Sequence, residues 1–206
     1  MADAAVIVFA RAPVAGRVKT RLIDMFGDDG AAALYRQLLE GTLRAAEQAA
    51  LSARYLYCSD AASRPYFDSR LAAETWEVRV QCDGDLGQRM HTALQSALGD
   101  HPAAVLVGSD IPHLDAAHIE AAAAALRSGA DAVLGPSDDG GFYLVGLRRP
   151  AAALFAGIDW SSGTELAGVR DRLRRRGWRW HELDTLFDVD TPADVVRWQP
   201  AAGAPG

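Results

Sequence analysis

Short apolar runs alternate with longer amphipathic stretches along the whole chain. The apolar runs have the length and residue types of buried strands, and they cover residues 4–10, 54–58, 77–82, 103–108, 130–134, 142–147 and 178–183. The amphipathic stretches have apolar residues at helical spacing, and they cover residues 28–43, 85–98, 115–127, 162–176 and a final segment after Thr191. This alternation predicts an α/β domain with a mostly parallel sheet that helices cover on both faces.

The segments at 130–134 and 142–147 differ from the other strand-like runs because only a short turn joins them. A parallel pair needs a connection of about a dozen residues or more, so these two strands are expected to be antiparallel. The turn contains Asp139-Gly140, which is a strong hairpin signal. The sequence therefore predicts a mixed sheet with one antiparallel element.

Two of the predicted helices begin with local signals. Ser162 and Glu165 have the spacing of a capping box, in which each side chain binds the other residue's backbone N–H. Pro192 follows Thr191 at the first position of the last helix, where a missing N–H costs little. We therefore predict helices that begin just after Ser162 and just after Thr191.

The composition is that of an ordinary globular chain of 206 residues, 50% apolar and 23% charged. This length suits one domain, predicted over residues 1–199, with a flexible tail at 200–206. The net charge of −6 argues against general binding to nucleic acids. No leader opens the chain and no apolar run approaches the ~18 residues of a membrane span, so we expect a cytoplasmic protein without a membrane partner.

Several residue types that often carry chemistry lack the required context. Cys58 and Cys82 have neither zinc-ligand spacing nor the numbers of a disulfide framework, so we expect free thiols. The five histidines show no metal-ligand spacing, and Ser109 does not lie in a nucleophile elbow. The basic run 170–179 closes a helix, where cations complement the helix dipole. Arg89, in the first turn of another helix, could reach an anion, but a residue on the helix surface is the favoured interpretation.

The loop after the first strand is unusually basic for an acidic protein. It contains Arg11, Arg17, Lys19 and Arg21, and Lys19 is the only lysine among the 21 basic residues. Gly16 permits close approach of the backbone to a ligand, whereas Pro13 donates no N–H, so this is not a glycine-rich nucleotide cradle. A solvated basic loop is the alternative, but closely spaced cations at a strand end favour a phosphate site with Lys19 as a compact point charge.

Acidic residues lie at two other places where a metal could bind. Asp110 ends the buried strand at 103–108, and Asp188 and Asp190 lie two residues apart, on one side of an extended segment. Two carboxylates about 4 Å apart would repel each other by roughly 4 kcal/mol, which a divalent cation relieves. Magnesium prefers one or two carboxylates together with substrate phosphates. Helix capping explains Thr191 and Asp194, but it does not account for both Asp188 and Asp190.

Two glycine-containing loops complete the set of candidate positions. The turn at 136–141 ends with Asp138, Asp139, Gly140 and Gly141, and its acids are suited to hold a sugar hydroxyl or an acceptor, although a plain hairpin explains the Asp-Gly pair equally well. Gly84 shapes a loop before the helix at 85–98. We therefore add Gly84, Asp139 and Gly140 to the candidate nucleotide-binding residues Arg11, Pro13, Gly16, Lys19 and Arg21.

The motifs at 9–22, 84–90, 108–112, 138–144 and 188–192, in this order, resemble the nucleotide-diphospho-sugar transferase superfamily. Within it the chain is similar, over about residues 4–198, to the radical-SAM/selenodomain-associated transferase type 1 family, whose members are described as glycosyltransferases. The resemblance implies a GT-A-like, Rossmann-type mixed sheet with helices on both faces. The opening loop is also similar to that of 2-phospholactate guanylyltransferases and, more distantly, of molybdenum-cofactor guanylyltransferases.

These resemblances imply roles for individual residues. Arg11, Lys19 and Arg21 match residues that hold a triphosphate, and Asp110 matches a metal ligand. Asp188 or Asp190 matches the late aspartate that completes the metal site of related cytidylyltransferases. The implied cofactor is Mg²⁺ or Mn²⁺. Ala10-Arg-Ala-Pro13 stands where most nucleotidyltransferases have Leu-Ala-Gly-Gly, so the mode of base binding is left open.

The sequence thus predicts a metal-dependent transferase that uses an activated nucleotide. Arg11, Lys19 and Asp110 are its expected catalytic residues, and the first reaction considered is nucleotidyl transfer from a nucleoside triphosphate to a phosphorylated acceptor. Glycosyl transfer from a nucleotide sugar and a non-catalytic nucleotide-binding module are the alternatives. The acceptor, the base and the oligomeric state, for which a homodimer is one option, are left open.

Overall fold

A seven-stranded sheet forms the centre of the computed structural model, which describes residues 4–198. In chain order its strands are β1 Ala5–Ala10, β2 Ala53–Cys58, β3 Glu77–Val80, β4 Ala104–Val107, β5 Ala132–Pro136, β6 Phe142–Leu147 and β7 Trp180–Glu182. In space their order is β3-β2-β1-β4-β6-β5-β7. Only β6 runs against its neighbours, and it is antiparallel to both β4 and β5. The predicted mixed sheet with one antiparallel element is therefore confirmed.

Within the described residues, five α-helices lie between strands and a sixth follows β7. They are α1 Ile23–Gln48, α2 Arg64–Asp68, α3 Leu86–Asp100, α4 Ala116–Arg127, α5 Glu165–Arg175 and α6 Pro192–Trp198. None of them is long and apolar enough to cross a membrane. The predicted flexible tail at 200–206 lies outside the described residues, as do positions 1–3 and 199.

The centre of the sheet is buried on both faces, which explains why β1, β4, β5 and β6 are nearly continuous apolar runs, whereas the edge strands β3 and β7 contain polar residues. In β1, Val6 and Val8 point into a core with α1 and α4, whereas Ala5 and Ile7 point into a second core with α3 and α5. All four side chains are fully buried. Alternate residues of a strand face opposite sides of a sheet, so a strand with two covered faces needs apolar residues at every position.

The chain forms a topological switch point at β1. From β1 it moves first to β2 on one side, and it later returns to β4 on the other side. β1, β2 and β4 are parallel, so their carboxyl ends lie at the same edge of the sheet. Ligands of open α/β sheets bind in the crevice that such a reversal opens beyond the strand ends. This edge is therefore where the loop after β1 and Asp110 after β4 come together.

Three local predictions differ from the structure. α1 begins at Ile23 rather than at residue 28, because Gly27, at φ 69° and ψ 171°, joins a first turn to the main helix through a kink. β5 begins at Ala132, because the N–H of Ala130 still donates to Ala125 O at the end of α4. The third prediction is the capping box at Ser162, of which one hydrogen bond, from Glu165 N to the Ser162 side chain, is absent.

Only Glu165 behaves as the predicted box requires. Its Oε1 accepts a hydrogen bond from the N–H of Ser162 at 2.8 Å, but the Ser162 hydroxyl donates to Asp159 O instead of capping the helix. The helix begins two residues later than that box would place it, at Glu165 itself, after Thr164. The carboxylate of Glu165 therefore fixes the loop before the helix rather than its first turn.

The turn between β5 and β6 packs closely against the loop before α5. Gly140 has φ +93°, and a Cβ there would lie 2.0 Å from the carbonyl oxygen of Gly163. The carbonyl of Gly140 also accepts a hydrogen bond from Leu166 N at 3.1 Å. Both the backbone conformation and this close approach therefore require glycine at position 140.

We expect Gly140→Ala to destabilise the protein more than Gly157→Ala does. Gly157 also has positive φ, at +66°, but no atom lies within 4 Å of a Cβ built there. Gly157→Ala should therefore cost only the backbone strain, about 1 kcal/mol. Gly140→Ala should cost roughly 1–3 kcal/mol more because of the overlap with Gly163. Urea denaturation measures both free energies of unfolding, and equal losses would contradict the proposed close packing.

Candidate active site

Three carboxylates meet at the switch point. Asp110 follows β4, and Asp188 and Asp190 lie in the segment between β7 and α6. One carboxylate oxygen from each residue lies within 4.8 Å of the others. Asp188 and Asp190 share one side of an extended segment, as their spacing predicts, and the structure brings both of them next to Asp110. A group of oxygens of this kind fits a hard divalent cation.

The segment that carries Asp188 and Asp190 is held in place by backbone hydrogen bonds. Leu186 N donates to Pro136 O at 3.0 Å, and Val189 N donates to Asp110 O at 3.2 Å. At its end, Asp194 Oδ2 accepts from Thr191 N at 2.7 Å, so these two residues cap α6 as predicted. The carboxylates are thus positioned by the strand edge on one side and by a helix start on the other.

The ammonium group of Lys19 lies between two of these carboxylates. Its Nζ is 2.7 Å from Asp190 Oδ1 and 3.1 Å from Asp110 Oδ2, and the side chain is only 6% exposed. Burial lowers the pKa of Lys19, but the two carboxylates more than offset this effect, so the pKa lies above its ordinary value. Lys19 is therefore charged at neutral pH, and it neutralises part of the acidic cluster.

The backbone of Lys19 has an unusual conformation. Its φ of 45° and ψ of 46° lie in the left-handed region, just before the short helix Thr20–Leu22. A residue other than glycine seldom adopts this conformation, and such residues concentrate at functional sites. With this backbone conformation, the side chain of Lys19 contacts Asp110 and Asp190.

Asp188 is the most perturbed of the three acids. Burial, followed by the charges of Asp110, Asp190 and Asp139, raises its pKa to about 6. Ser137 Oγ donates a hydrogen bond to Asp188 Oδ1 at 3.3 Å. Lys19 forms no ion pair with Asp188 in the described part of the chain, whereas it pairs with both other acids. Asp188 is thus the carboxylate whose charge is least compensated.

A cavity of about 500 Å³ opens beside this cluster, and we call it the basic cavity. Five cationic side chains line it: Arg11, Arg17, Lys19, Arg21 and Arg89. Asp110 and Asp190 lie at its acidic side. The guanidinium of Arg21 is 74% exposed and 3.7 Å from Asp190 Oδ2, and Arg11 donates to Arg17 O at 3.3 Å. These exposed guanidinium groups suit the binding of a polyphosphate.

A second cavity of about 280 Å³ adjoins the first, and we call it the acidic cavity. Its charged lining residues are Asp110, Asp139, Glu165 and Asp188. Apolar and aromatic side chains, including Phe142, Tyr143 and Trp160, form much of the remaining wall. Asp110, Phe9 and Leu86 line both cavities. The three-carboxylate cluster therefore lies at the junction of two cavities with opposite charge.

Other predicted residues lie at varied distances from these cavities. Gly16 lines a third space of about 380 Å³ on the far side of Arg11, together with Asp60 and Ser63. Asp139 lines the acidic cavity, and its Oδ1 accepts from Gly141 N at 2.9 Å. The structure thus brings Asp139 next to the carboxylate cluster, but it does not bring Gly16 there.

Pro13, Gly84 and Gly140 line neither the basic nor the acidic cavity among the residues that the structure describes. Pro13 is buried behind the loop. Gly84 lacks space for a side chain, because a Cβ would lie 2.1 Å from Oε1 of Gln88, which caps α3. These residues shape the loops around the site without facing either cavity.

Tyr35 and Ser109 form hydrogen bonds that hold the loop after β1 in place, and the sequence does not reveal this structural role. The Tyr35 hydroxyl lies 2.7 Å from Ser109 Oγ and accepts a hydrogen bond from Arg11 N at 3.1 Å. Tyr35 is 5% exposed and belongs to the apolar face of α1, so its helical spacing indicates only a core residue. The hydrogen bonds connect the loop after β1 to the strand end that carries Asp110.

Three further residues at the cavities were interpreted otherwise or missed in the sequence. Arg89, interpreted as a surface residue, lines the basic cavity, and its Nε donates to Gly84 O at 2.9 Å. Glu165 and Trp160 line the acidic cavity. For Glu165, the sequence contained one signal, a carboxylate at a predicted helix start, and this signal indicated a helix cap.

Comparisons with known proteins agree with this architecture. A crystal structure of a candidate nucleotide-diphospho-sugar transferase from Desulfovibrio desulfuricans G20 has a TM-score of 0.88 and 30% identity, covering 98% of this chain and 90% of that one. The inositol-1-phosphate CTP transferase from T. maritima has a TM-score of 0.59 and 14% identity, with 99% of both chains covered. The predicted GT-A-like fold is confirmed.

A manganese complex of the same fold is also known. The protein Rv0371C of Mycobacterium tuberculosis H37Rv, in complex with manganese, has a TM-score of 0.58 and 18% identity, covering 97% of this chain and all of the other. No curated protein matches the sequence at a significant level. The resemblance to nucleotide-diphospho-sugar transferases is supported by the first of these structures, whereas the narrower radical-SAM-associated family stays a prediction.

The family itself is shown by a match over more than half of the chain. The model for a family of uncharacterized proteins conserved in bacteria, DUF2064, matches residues 42–162. This range contains Asp110, Asp139 and the hairpin of β5 and β6, whereas Lys19, Asp188 and Asp190 lie on either side of it. The chain therefore belongs to the DUF2064 family.

Proposed function

We propose that the protein is a metal-dependent transferase that moves the nucleotidyl group of a nucleoside triphosphate to an acceptor and releases pyrophosphate. One observation carries the proposal: three carboxylates converge at the edge of a cavity that five cationic side chains line. Carboxylates that hold a divalent ion, next to cations that hold phosphate groups, are the parts that nucleotide-dependent transfer requires. The fold shared with a CTP-using transferase supports the same proposal.

The three carboxylates have the chemistry that Mg²⁺ or Mn²⁺ requires. Both ions prefer oxygen ligands, and Asp110, Asp188 and Asp190 each offer one oxygen within a small space. When bound, such an ion would neutralise negative charge that develops on the phosphate groups during transfer. The manganese complex of a protein with the same fold supports this choice of ion.

The cationic residues would act mainly on the leaving group. Arg11, Lys19 and Arg21 would stabilise the charge that develops on pyrophosphate, and Arg17 and Arg89 lie in the same cavity. Phosphate oxygens in the basic cavity would compete with Asp110 and Asp190 for the ammonium group of Lys19. Lys19 would then turn from the acids towards the substrate as the acids take up the ion.

No protein nucleophile is needed for this reaction. The hydroxyl of Ser109 lies near Asp110, but it is hydrogen-bonded to Tyr35, and no base is placed to activate it among the described contacts. The acceptor itself would supply the attacking atom from the acidic cavity, across Asp110. The residues of the chain therefore serve to position the two substrates and to stabilise charge.

Glycosyl transfer from a nucleotide sugar is the second candidate function. The acidic cavity, with carboxylates beside aromatic rings, suits the sugar of such a donor. The relative from Desulfovibrio desulfuricans is named for this substrate class. A non-catalytic nucleotide-binding module, the third alternative, would bind nucleotides without turnover and without a need for all three acids.

A coupled assay for pyrophosphate release tests the proposed reaction. With Mn²⁺ and each nucleoside triphosphate in turn, turnover should depend on an added acceptor. Turnover should fall at least about 100-fold in Asp110→Asn, because the charge of one proposed carboxylate ligand of the ion is lost. Asp171→Asn, on the exposed face of α5, serves as the matched control and should retain full activity. Cleavage of nucleotide sugars without pyrophosphate release would favour the second candidate, and tight binding without any turnover would favour the third.

Removing the charge of Lys19 should have opposite effects on the two ligands. In Lys19→Met, Mn²⁺ should bind without nucleotide at least about tenfold more tightly, because no ammonium group competes for Asp110 and Asp190. The nucleoside triphosphate should bind more weakly, because a phosphate ligand is lost. Isothermal titration calorimetry measures both affinities.

Arg21→Gln is the control for this prediction. Arg21 also faces Asp190, but it is 74% exposed, so solvent screens its charge and Mn²⁺ affinity without nucleotide should change little. If Lys19→Met left the Mn²⁺ affinity unchanged, the competition between Lys19 and the ion would be refuted.

Asp188→Asn should stabilise the metal-free protein at pH 8. The pKa of Asp188 in the folded protein, about 6, lies above its ordinary value of 3.8, so folded protein binds this proton more tightly than unfolded protein does. The resulting stability is fully present below pH 3.8 and is lost as the pH rises through 6. Replacing the acid should therefore recover roughly 1–2 kcal/mol at pH 8, because solvent screens part of the charge of this half-buried group, and almost nothing at pH 4.

Thermal unfolding in the presence of a chelator measures this difference across the pH range. Addition of Mn²⁺ should raise the unfolding temperature of the parent protein more than that of Asp188→Asn, because the variant has lost one proposed ligand. A variant that is less stable than the parent at pH 8 would contradict the assignment of Asp188 as an uncompensated charge.

A further inference from the structure

The acidic cavity lacks the cations that a phosphate group needs. Its charged lining residues are all carboxylates, Asp110, Asp139, Glu165 and Asp188, and no lysine, arginine or histidine lines it among the residues described. The basic cavity next to it has five cations. An anionic compound would therefore be drawn into the basic cavity and repelled from the acidic one.

Aromatic and aliphatic side chains form the apolar part of the lining of the acidic cavity. Phe142 and Trp160 meet edge to face, with ring centroids 6.2 Å apart and an interplanar angle of 71°. Met90 and Leu106 belong to the same apolar lining. An apolar lining together with hydrogen-bond acceptors suits a compound with one apolar face and hydroxyl groups at its edge, because each part then meets its complement.

Glu165 is a buried acceptor whose orientation the backbone fixes. It is 7% exposed, and its Oε1 accepts from Ser161 N at 2.5 Å and Ser162 N at 2.8 Å. Both bonds go to Oε1, so Oε2 is available to a donor on a ligand. A carboxylate held in this way is a preorganised partner for a hydroxyl group.

Ser161, next to Glu165 in the cavity wall, has a strained backbone. Within residues 4–198, Ser161, at φ 85°, and Lys19, at φ 45°, are the two non-glycine residues with positive φ. Ser161 lines the acidic cavity and Lys19 lines the basic cavity. Strained residues of this kind are concentrated at functional sites.

The size of the acidic cavity limits its ligand to one ring. Its volume of about 280 Å³ is close to the lower end of the range for small-molecule sites, about 300–1,000 Å³. A second nucleotide would exceed this volume. A single six-membered ring with its substituents fits, and Asp110 at the junction would face both this ring and the contents of the basic cavity.

We infer that the acidic cavity binds a hydroxyl-bearing ring compound without a phosphate group, such as a free sugar or cyclic polyol. This inference deepens the proposed function, on which it rests for the identification of the cavity as the acceptor site. It departs from the phosphorylated acceptor that the sequence predicts. Asp139 and Glu165, which the proposed ion does not use, accept hydrogen bonds from the hydroxyl groups, the aromatic side chains pack against the ring, and the negative charge of these two acids disfavours the phosphate ester.

The indole N–H of Trp160 provides a readout for this cavity alone. The chain has five tryptophans, and comparison with the spectrum of Trp160→Phe assigns the Trp160 signal in a two-dimensional ¹⁵N NMR spectrum. A compound that enters the acidic cavity shifts this signal. A compound bound only in the basic cavity does not contact Trp160, because Trp160 lines only the acidic cavity of the two. The measurement needs no turnover and is made with Mg²⁺ present.

Matched pairs of compounds test the inference. Glucose, galactose and myo-inositol are each titrated beside their 1-phosphate esters. We expect at least one unphosphorylated compound to shift the Trp160 signal, and its phosphate ester to need at least about tenfold higher concentration for the same shift. Equal or tighter binding of the esters in this cavity, or no shift with any unphosphorylated compound, would overturn the inference.

Variants of the acidic wall separate charge from shape. In Asp139→Asn, the loss of one negative charge should reduce the discrimination against the phosphate ester at least about threefold, whereas Asp171→Asn should leave it unchanged. Glu165→Gln, which keeps an oxygen for the Ser161 and Ser162 N–H groups, should weaken binding of the unphosphorylated compound. Discrimination that is the same in Asp139→Asn as in the parent would refute the electrostatic argument.

Failure of this inference is distinguishable from failure of the proposed function. Sugar binding at Trp160 without any pyrophosphate release would leave the inference standing and would remove the nucleotidyl transfer reaction. Pyrophosphate release with a phosphorylated acceptor that also shifts the Trp160 signal would support the proposed function and overturn this inference.

Discussion

The repulsion among three converging carboxylates is the constraint on which the site depends. Asp110, Asp188 and Asp190 can stay together only if positive charge compensates them, and Lys19 supplies part of it from 91 and 171 residues away in sequence. The sheet makes this possible, because parallel strands deliver distant segments to one edge. The ammonium group compensates Asp110 and Asp190 but leaves Asp188 strongly perturbed. The cluster is therefore stable enough to form, yet retains an attraction for further positive charge.

The sequence revealed those parts of the molecule that local pattern determines. The central strands are apolar at nearly every position because both faces of the sheet are covered there. Lys19 and Asp110 follow strands, where ligand-binding residues of α/β proteins concentrate. Tyr35 could not be recognised, because its helical spacing is that of any core residue and only the fold brings it to Ser109. The spacing of Glu165 from Ser162 correctly indicated the hydrogen bond from Ser162 N, but it could not show that Glu165 lines the acidic cavity, because the hairpin that forms another part of this cavity lies about 25 residues earlier.

Two neighbouring cavities of opposite charge would divide the selection of substrates in the proposed reaction. A polyanion would meet five cations on one side of Asp110, and an uncharged ring would meet carboxylates and aromatic side chains on the other. Each proposed substrate would be disfavoured in the cavity of the other, so charge would help to orient the pair around the carboxylate cluster. The fold brings the cluster together, and the side chains of each cavity would determine the selection.

The antiparallel direction of β6 has a consequence for how this site can change. Because β6 starts at the edge where the parallel strands end, the turn 137–141 that precedes it forms part of the acidic wall. The basic loop and the three clustered carboxylates belong to other segments. Ser137 and Asp138 bind Asp188 and Leu186, so exchange of the tip beyond these two residues would reshape the acidic cavity and leave the basic loop in place. Members of the family with the same carboxylate cluster could in this way diverge in the compounds they accept.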